Sequence, residues 1–221
     1  ESLENKYDKF LAGNYDYKAN TYETNKINLL SNPTSLYTKQ PTVYYGLMYL
    51  AKNAKKEVKI HTPYIICNDY MYKELKNIKV PTTIMTNSAE NNGNIFGAVD
   101  YLNHKKDIIN TGVTIKEYEG GISYHGKSMT IDDDIAIVGS FNMDMRSAYI
   151  DTELMLVINS KDINKQLKAS MAEYEKKAAT VKNETEYSHI PEGMKMKELS
   201  DKKKNIKEWF GWAMNGLRFL F

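Results

Sequence analysis

Between His125 and Asn142 the chain sets a histidine, a lysine, an aspartate, a serine and an asparagine at fixed offsets, in the order H-x-K-x4-D-x6-G-S-x-N. These side chains suit an esterified phosphate. A phosphodiester is itself an anion, so cleaving it needs a neutral nucleophile, a proton for the departing oxygen and donors around the remaining oxygens. The imidazole of His125 can act as nucleophile or as general acid, because its reference pKa lies near neutrality. Lys127 brings a compact point charge with three donors. The Ser140 hydroxyl and the Asn142 amide are further donors to phosphate oxygens.

Strand geometry has to position them. Residues two apart on a strand share a face, so a strand from His125 to Ile131 turns His125 and Lys127 to the same side. Gly126 between them leaves the other face free of bulk. Asp132 to Asp134 read as a turn, Ile135 to Val138 as a short buried strand, and Gly139-Ser140-Phe141-Asn142 returns two polar side chains to the mouth of the same site. Glu153 falls in the next apolar strand, Thr152 to Ile158. A lone His-x-Lys on a strand is ordinarily surface decoration; the aspartate, Gly-Ser and asparagine beside it argue for function. The three consecutive aspartates read as a solvated hairpin turn rather than a cation site. Arg146, in the run MDMRS, either holds its loop through a carboxylate or forms a surface ion pair worth little.

The pattern resembles the HKD motif of the phospholipase D superfamily. In that family one histidine attacks phosphorus and forms a phosphohistidine, while a second protonates the departing alcohol and then activates the incoming alcohol or water. Each active site there is built from two motif copies. The resemblance implies that His125 is the general acid and base, that Lys127, Ser140 and Asn142 bind phosphate, and that Glu153 orients the His125 ring. It counts Asp132 with the catalytic set, though in a mainly structural role, and it calls for no metal or other cofactor. Lys39-Gln40-Pro41, the run Val58 to Tyr64, and Thr86-Asn87-Ser88 look like the second half of two-motif members. The resemblance spans residues 27 to 180 and implies the C-terminal half of a longer, cardiolipin synthase-like protein. No second motif surrounds His61, His104 or His189; these read as surface or satisfied structural histidines.

The expected partners are therefore a glycerophospholipid and a second motif half, supplied by an upstream region or by another copy of the chain. Two other readings stand beside it: a homodimeric single-motif endonuclease, and a non-catalytic lobe that binds lipid or protein. Composition weighs against sequence-specific nucleic-acid binding. The formal net charge is only +2, and of 30 basic residues only Arg146 and Arg218 are arginine, the residue that dominates base reading. Cys67, the only cysteine, leaves no internal disulfide to form and reads as a small buried hydrophobe.

Around the motif, helix and strand signals alternate, which predicts an α/β lobe with a mixed sheet sandwiched between helices. Helices are expected from Thr42, over Asp69–Ile78, Ile95–Ile109 and Lys161–Val181, with strands over 57–62, 82–86 and 112–118. Residues 1–40 read as a polar, largely irregular arm, 41–181 as the lobe, and 182–221 as a basic-aromatic tail. In that tail Ile206, Trp209, Phe210, Ala213, Leu217 and Leu220 fall on one helical stripe, flanked by Lys202, Lys203, Lys204, Lys207 and Arg218. Such a helix suits a membrane interface, with aromatics inward and cations at the headgroups, and implies a membrane-associated protein; packing back on the lobe is the competing reading.

Overall fold

The computed structural model describes residues 16, 18–19, 21–34, 37, 39–210, 216 and 218–220. At its centre lies β2 (Val58–His61), parallel to β4 (Thr82–Asn87), which is parallel to β5 (Thr114–Tyr118). Parallel neighbours need a crossover, and two helices supply it. α2 (Asp69–Lys76) and α3 (Ile95–Asn110) each begin at an asparagine whose side chain accepts a first-turn N–H: Asn68 from Met71, and Asn94 from Gly97. On its other side β2 pairs antiparallel with β6 (Ser128–Ile131), the first arm of a hairpin whose second arm is β7 (Ile135–Gly139). β9 (Leu154–Asn159) and the edge strand β1 (Lys26–Ser31) follow, both antiparallel to their neighbours. The far edge is β10 (Ala178–Val181) and β11 (Tyr187–His189). The resulting nine-strand order is β1-β9-β7-β6-β2-β4-β5-β10-β11. A separate two-stranded ribbon joins β3 (Ile65–Ile66) to β8 (Met143–Asp144).

Alternation along the strands feeds two cores. One face buries Ile60, Ile84, Met129, Ile137 and Met155 against Val43, Tyr44, Leu47 and Met48 of α1 (Thr42–Lys52). The other holds Met85, Tyr118 and Ala178, with Tyr124 packed on them, under α5 (Lys161–Glu175). The expected sandwich of a mixed sheet between helices is the observed one.

Two boundaries differ from the sequence reading. Part of the first forty residues is edge strand: Ile27 and Leu29 alternate with Asn28 and Leu30, and Leu30 packs over Gly46 of α1. The helix expected to reach Val181 stops at Glu175, and Ala178 to Thr180 pair with Tyr118 to Lys116. Alanine favours helix locally, but an open sheet edge with unpaired backbone overrides that preference. The tail helix, α6, is described over Asp201–Phe210, and a 3-10 turn lies at Arg218–Leu220; residues 211–215 and 217, and the side chain of Phe210, on which the rest of the stripe falls, lie outside the described residues. Among the described residues no helix is long and apolar enough to cross a membrane.

Candidate active site

The register gathers the motif at one end of the sheet. Ser128, which opens β6, pairs with His61 at the end of β2 and with Val138 near the end of β7. The carboxyl ends of β2, β4, β5 and β7 and the start of β9 therefore lie together, the position where open α/β sheets hold ligands. His125 and Lys127 precede β6 in irregular backbone, not in the strand expected there. The ladder still reaches Lys127, whose carbonyl accepts from Gly139 N–H at 3.3 Å.

The two side chains meet. Lys127 Nζ lies 3.0 Å from His125 Nδ1, 3.4 Å from Nε2 and 2.8 Å from the His125 carbonyl oxygen. Partial burial, reinforced by the Lys127 charge, holds the His125 pKa below its ordinary value. Burial likewise lowers Lys127, while Glu153 and Asp144 pull the other way. Both residues line a cleft of about 620 Å³, walled by Tyr124 and, from α5, by Leu167, Met171 and Tyr174.

Beneath Lys127 lies a network of buried acids and hydroxyls. Glu153, which immediately precedes β9, accepts from Ser140 Oγ and, at 2.7 Å, from Ser147 Oγ. The expected bond from Glu153 to the His125 ring is not formed; the carboxylate is taken up by the two serines, and its field reaches Lys127. Ser140 Oγ also accepts from Leu154 N–H at 3.0 Å, so this hydroxyl knits β7 to β9 and lies outside the cleft lining. Asn142 donates to Ser147 Oγ at 3.3 Å, and its Oδ1 is buried without a partner. Asp144 accepts from Ser147 N–H at 2.5 Å; burial, with Glu153 adding to it, lifts its pKa to about 6. Arg146 forms an exposed pair with Asp151.

Asp132 lies at the other end of β6, roughly 16 Å along the strand from Lys127. Its carboxylate accepts from the N–H groups of Lys55, Lys56 and Glu57, tying the hairpin turn to the entry of β2. Its work is structural, and its place in the catalytic set is corrected accordingly. Asp133 is held by Lys56 and Lys168. Cys67 is fully buried. His61 is buried with Nε2 3.2 Å from Glu175, and His104 Nδ1 is 3.0 Å from the Asp100 carbonyl oxygen. The sequence places Tyr174 on the inward face of its helix but gives Tyr118 and Tyr124 no part in the site. Tyr124, Tyr118 and Tyr174 pack edge-on with centroids 4.8 to 6.0 Å apart behind His125, and their positions on three separate elements left no local signal.

A histidine and a lysine converging at the mouth of this mixed sheet, backed by buried carboxylates, define a phospholipase D-type lobe. The chain belongs to the family described as cardiolipin synthase, PLD-like domain, whose model matches residues 47–174. It is similar to cardiolipin synthase 1 of Staphylococcus epidermidis, with 29% identity over 159 residues, covering 71% of this chain and 32% of that protein. The chain thus spans about a third of the length of that relative. Among solved structures it is similar in fold to phosphatidylserine synthase of Haemophilus influenzae, with a TM-score of 0.64 at 15% identity, covering 88% of this chain and 48% of that one. Nuc, a phospholipase D family member from Salmonella typhimurium, matches with a TM-score of 0.56 at 16% identity, covering 71% of this chain and 97% of that one.

Proposed function

We propose that the chain supplies one of two half-sites of a phosphatidyltransferase or phosphodiesterase acting on glycerophospholipids through a histidine-based phosphoryl transfer. The observation that carries this reading is the Lys127 ammonium 3.0 Å from His125 Nδ1 at the mouth of the cleft. In this role His125 gives a proton to the departing alcohol oxygen and takes one from the incoming alcohol or water, while a second histidine attacks phosphorus. Lys127 turns from its own neighbour to the phosphoryl oxygens, and the Glu153 network steadies its charge from beneath. Ser140 and Asn142 act in phosphate binding by shaping that floor, with the unpartnered Asn142 Oδ1 beside it.

An exposed apolar strip supports a second lobe as partner. Ile27, Leu29, Val138 and Leu154 are 53%, 61%, 37% and 46% exposed. Strand pairing puts them on one face, and Val138 also lines the cleft. A contiguous apolar patch at a site mouth marks a surface meant to be covered. The exposed side of α6, with Trp209, Lys202 and Lys207, supports apposition to an anionic membrane surface. Lys203 and Arg218, counted earlier among the headgroup cations, instead fold inward onto backbone carbonyls, and Arg218 also onto Asp100.

The test is turnover of phosphatidylglycerol vesicles by the full-length protein carrying H125A. Activity should fall by roughly 10²- to 10⁴-fold, the span of a lost general acid. Substantial retained activity overturns the assignment. The endonuclease reading is favoured by one observation, that the motif occurs once in the chain. Gel filtration with a DNA-cleavage assay separates the two: a dimer that cuts DNA and spares lipid would replace the lipid reading.

A further inference from the structure

His125 sits in a stretch, residues 119–127, that contributes no strand of its own, so something else must fix its direction. The loop after β4 does so. Asn87, at the end of β4, accepts from Tyr124 N–H at 2.8 Å and donates to the Tyr124 carbonyl at 2.9 Å and the Pro63 carbonyl at 2.8 Å. Asn91 donates to the Ile122 carbonyl at 3.2 Å and to Asn87 Oδ1 at 3.2 Å. Gly93 N–H donates to Ser123 Oγ at 3.1 Å. Three successive residues before His125 are thus gripped by one loop.

That loop is itself held from the distant end of the chain. Lys203 of α6 is 7% exposed, and its ammonium donates to the carbonyls of Ala89, Glu90 and Asn92 at 2.8, 2.6 and 3.0 Å. Three hydrogens meet three acceptors. Ser200 N–H adds a bond to Glu90 Oε2 at 2.9 Å. Burying an ammonium is costly unless every hydrogen finds a partner. Here the hydrogen-bond acceptors are backbone oxygens of the loop that grips residues 122–124, and the Glu90 carboxylate stands 3.8 Å from the ammonium.

We infer that Lys203 is a positioning residue for His125: the C-terminal helix, through its buried ammonium, sets the 88–94 loop, and Asn87 and Asn91 pass that setting to the histidine. The inference rests on His125 being the reacting group, but its test needs no turnover, so the two ideas fail separately. Histidine ring NMR and amide exchange are followed in the 221-residue chain carrying K203M or N87S. Tyr124 N–H exchange should quicken about tenfold or more in both variants, as local opening becomes easier. His125 should titrate closer to an ordinary imidazole. Unchanged Tyr124 exchange and unchanged His125 titration overturn the inference, as does exchange that rises uniformly over the whole chain. Should K203M fail to fold, K203Q decides on the same readouts, because an amide supplies only two hydrogens for the three loop carbonyls.

Discussion

Lys127 Nζ stands 3.0 Å from His125 Nδ1 and 3.4 Å from Nε2, within reach of both ring nitrogens. A cation held this near both ring nitrogens disfavours a second positive charge on the imidazole. The neutral ring is the form that takes a proton from an incoming alcohol or water; to protonate a departing oxygen it must first become imidazolium. Burial and the lysine charge both favour neutral imidazole. Removing the charge in K127M should raise the His125 pKa toward its ordinary value, whereas K127R should leave it depressed. A ring titration by NMR reads both. Equal midpoints in wild type and K127M would dismiss any electrostatic coupling. Because the folded pKa lies below the unfolded one, the unfolded chain binds the proton better, and this group lowers stability as pH falls through about 6.5.

Asp132 should matter to folding and not to chemistry. Its carboxylate serves three backbone N–H groups, which together hold its pKa below the ordinary aspartate value despite some desolvation. Its φ of 51° is left-handed, a conformation aspartate and asparagine tolerate better than alanine. D132A should cost about 2 kcal/mol in urea unfolding, and D132N about half of that. With a depressed folded pKa, its contribution is present above about pH 4 and fades as pH falls further. If D132A unfolds at the wild-type urea concentration, the carboxylate does not hold the hairpin.

The sequence revealed the chemistry and the succession of helices and strands more readily than the bonds that join them. His125 and Lys127 were legible as neighbours because a two-residue spacing puts them on one side even where the strand frays. Glu153 was legible as a member of the site but not in its partners. Ser140 and Ser147 reach it from two different elements, and only the folded register brings them within bonding distance. Lys203 was read as a headgroup lysine because composition marks a charge and not its burial; the carbonyls that claim it lie in a loop far away along the chain. The end of α5 was missed for a similar reason: Ala178 and Ala179 prefer helix until the free edge of β5 captures them.

Gly139 is glycine because two strands touch there. A β-carbon at this position would stand 2.1 Å from the Leu154 carbonyl oxygen and 2.9 Å from Met155 Cα, both backbone atoms that cannot turn aside. Even alanine must therefore push β7 from β9, where Ser140 and Glu153 meet. G139A should destabilise the chain by about 1–3 kcal/mol, the usual cost of overpacking, and should loosen the Ser140–Leu154 backbone bond. Chemical denaturation with amide exchange at Ser140 checks both. A G139A variant as stable as wild type, with Ser140 equally protected, would mean that the two strands separate freely.

The buried Asp144 carboxyl predicts a stability change with pH that runs opposite to that of Asp132. Burial outweighs the Ser147 N–H bond and lifts its pKa to about 6, with the nearby Glu153 charge acting in the same sense. A folded pKa above the unfolded one means that the native state holds the proton more tightly. The contribution is then complete below about pH 4 and is lost as pH rises through about 6. D144N keeps an acceptor for Ser147 N–H but carries no titrating proton. The stability of D144N relative to wild type should therefore climb between pH 4 and pH 7, by up to about 3 kcal/mol for a shift of this size. Urea unfolding across that range measures it. A constant difference between the two proteins over the whole interval would show that Asp144 ionises in the fold as readily as in the unfolded chain, and that burial beside Glu153 does not hold its proton.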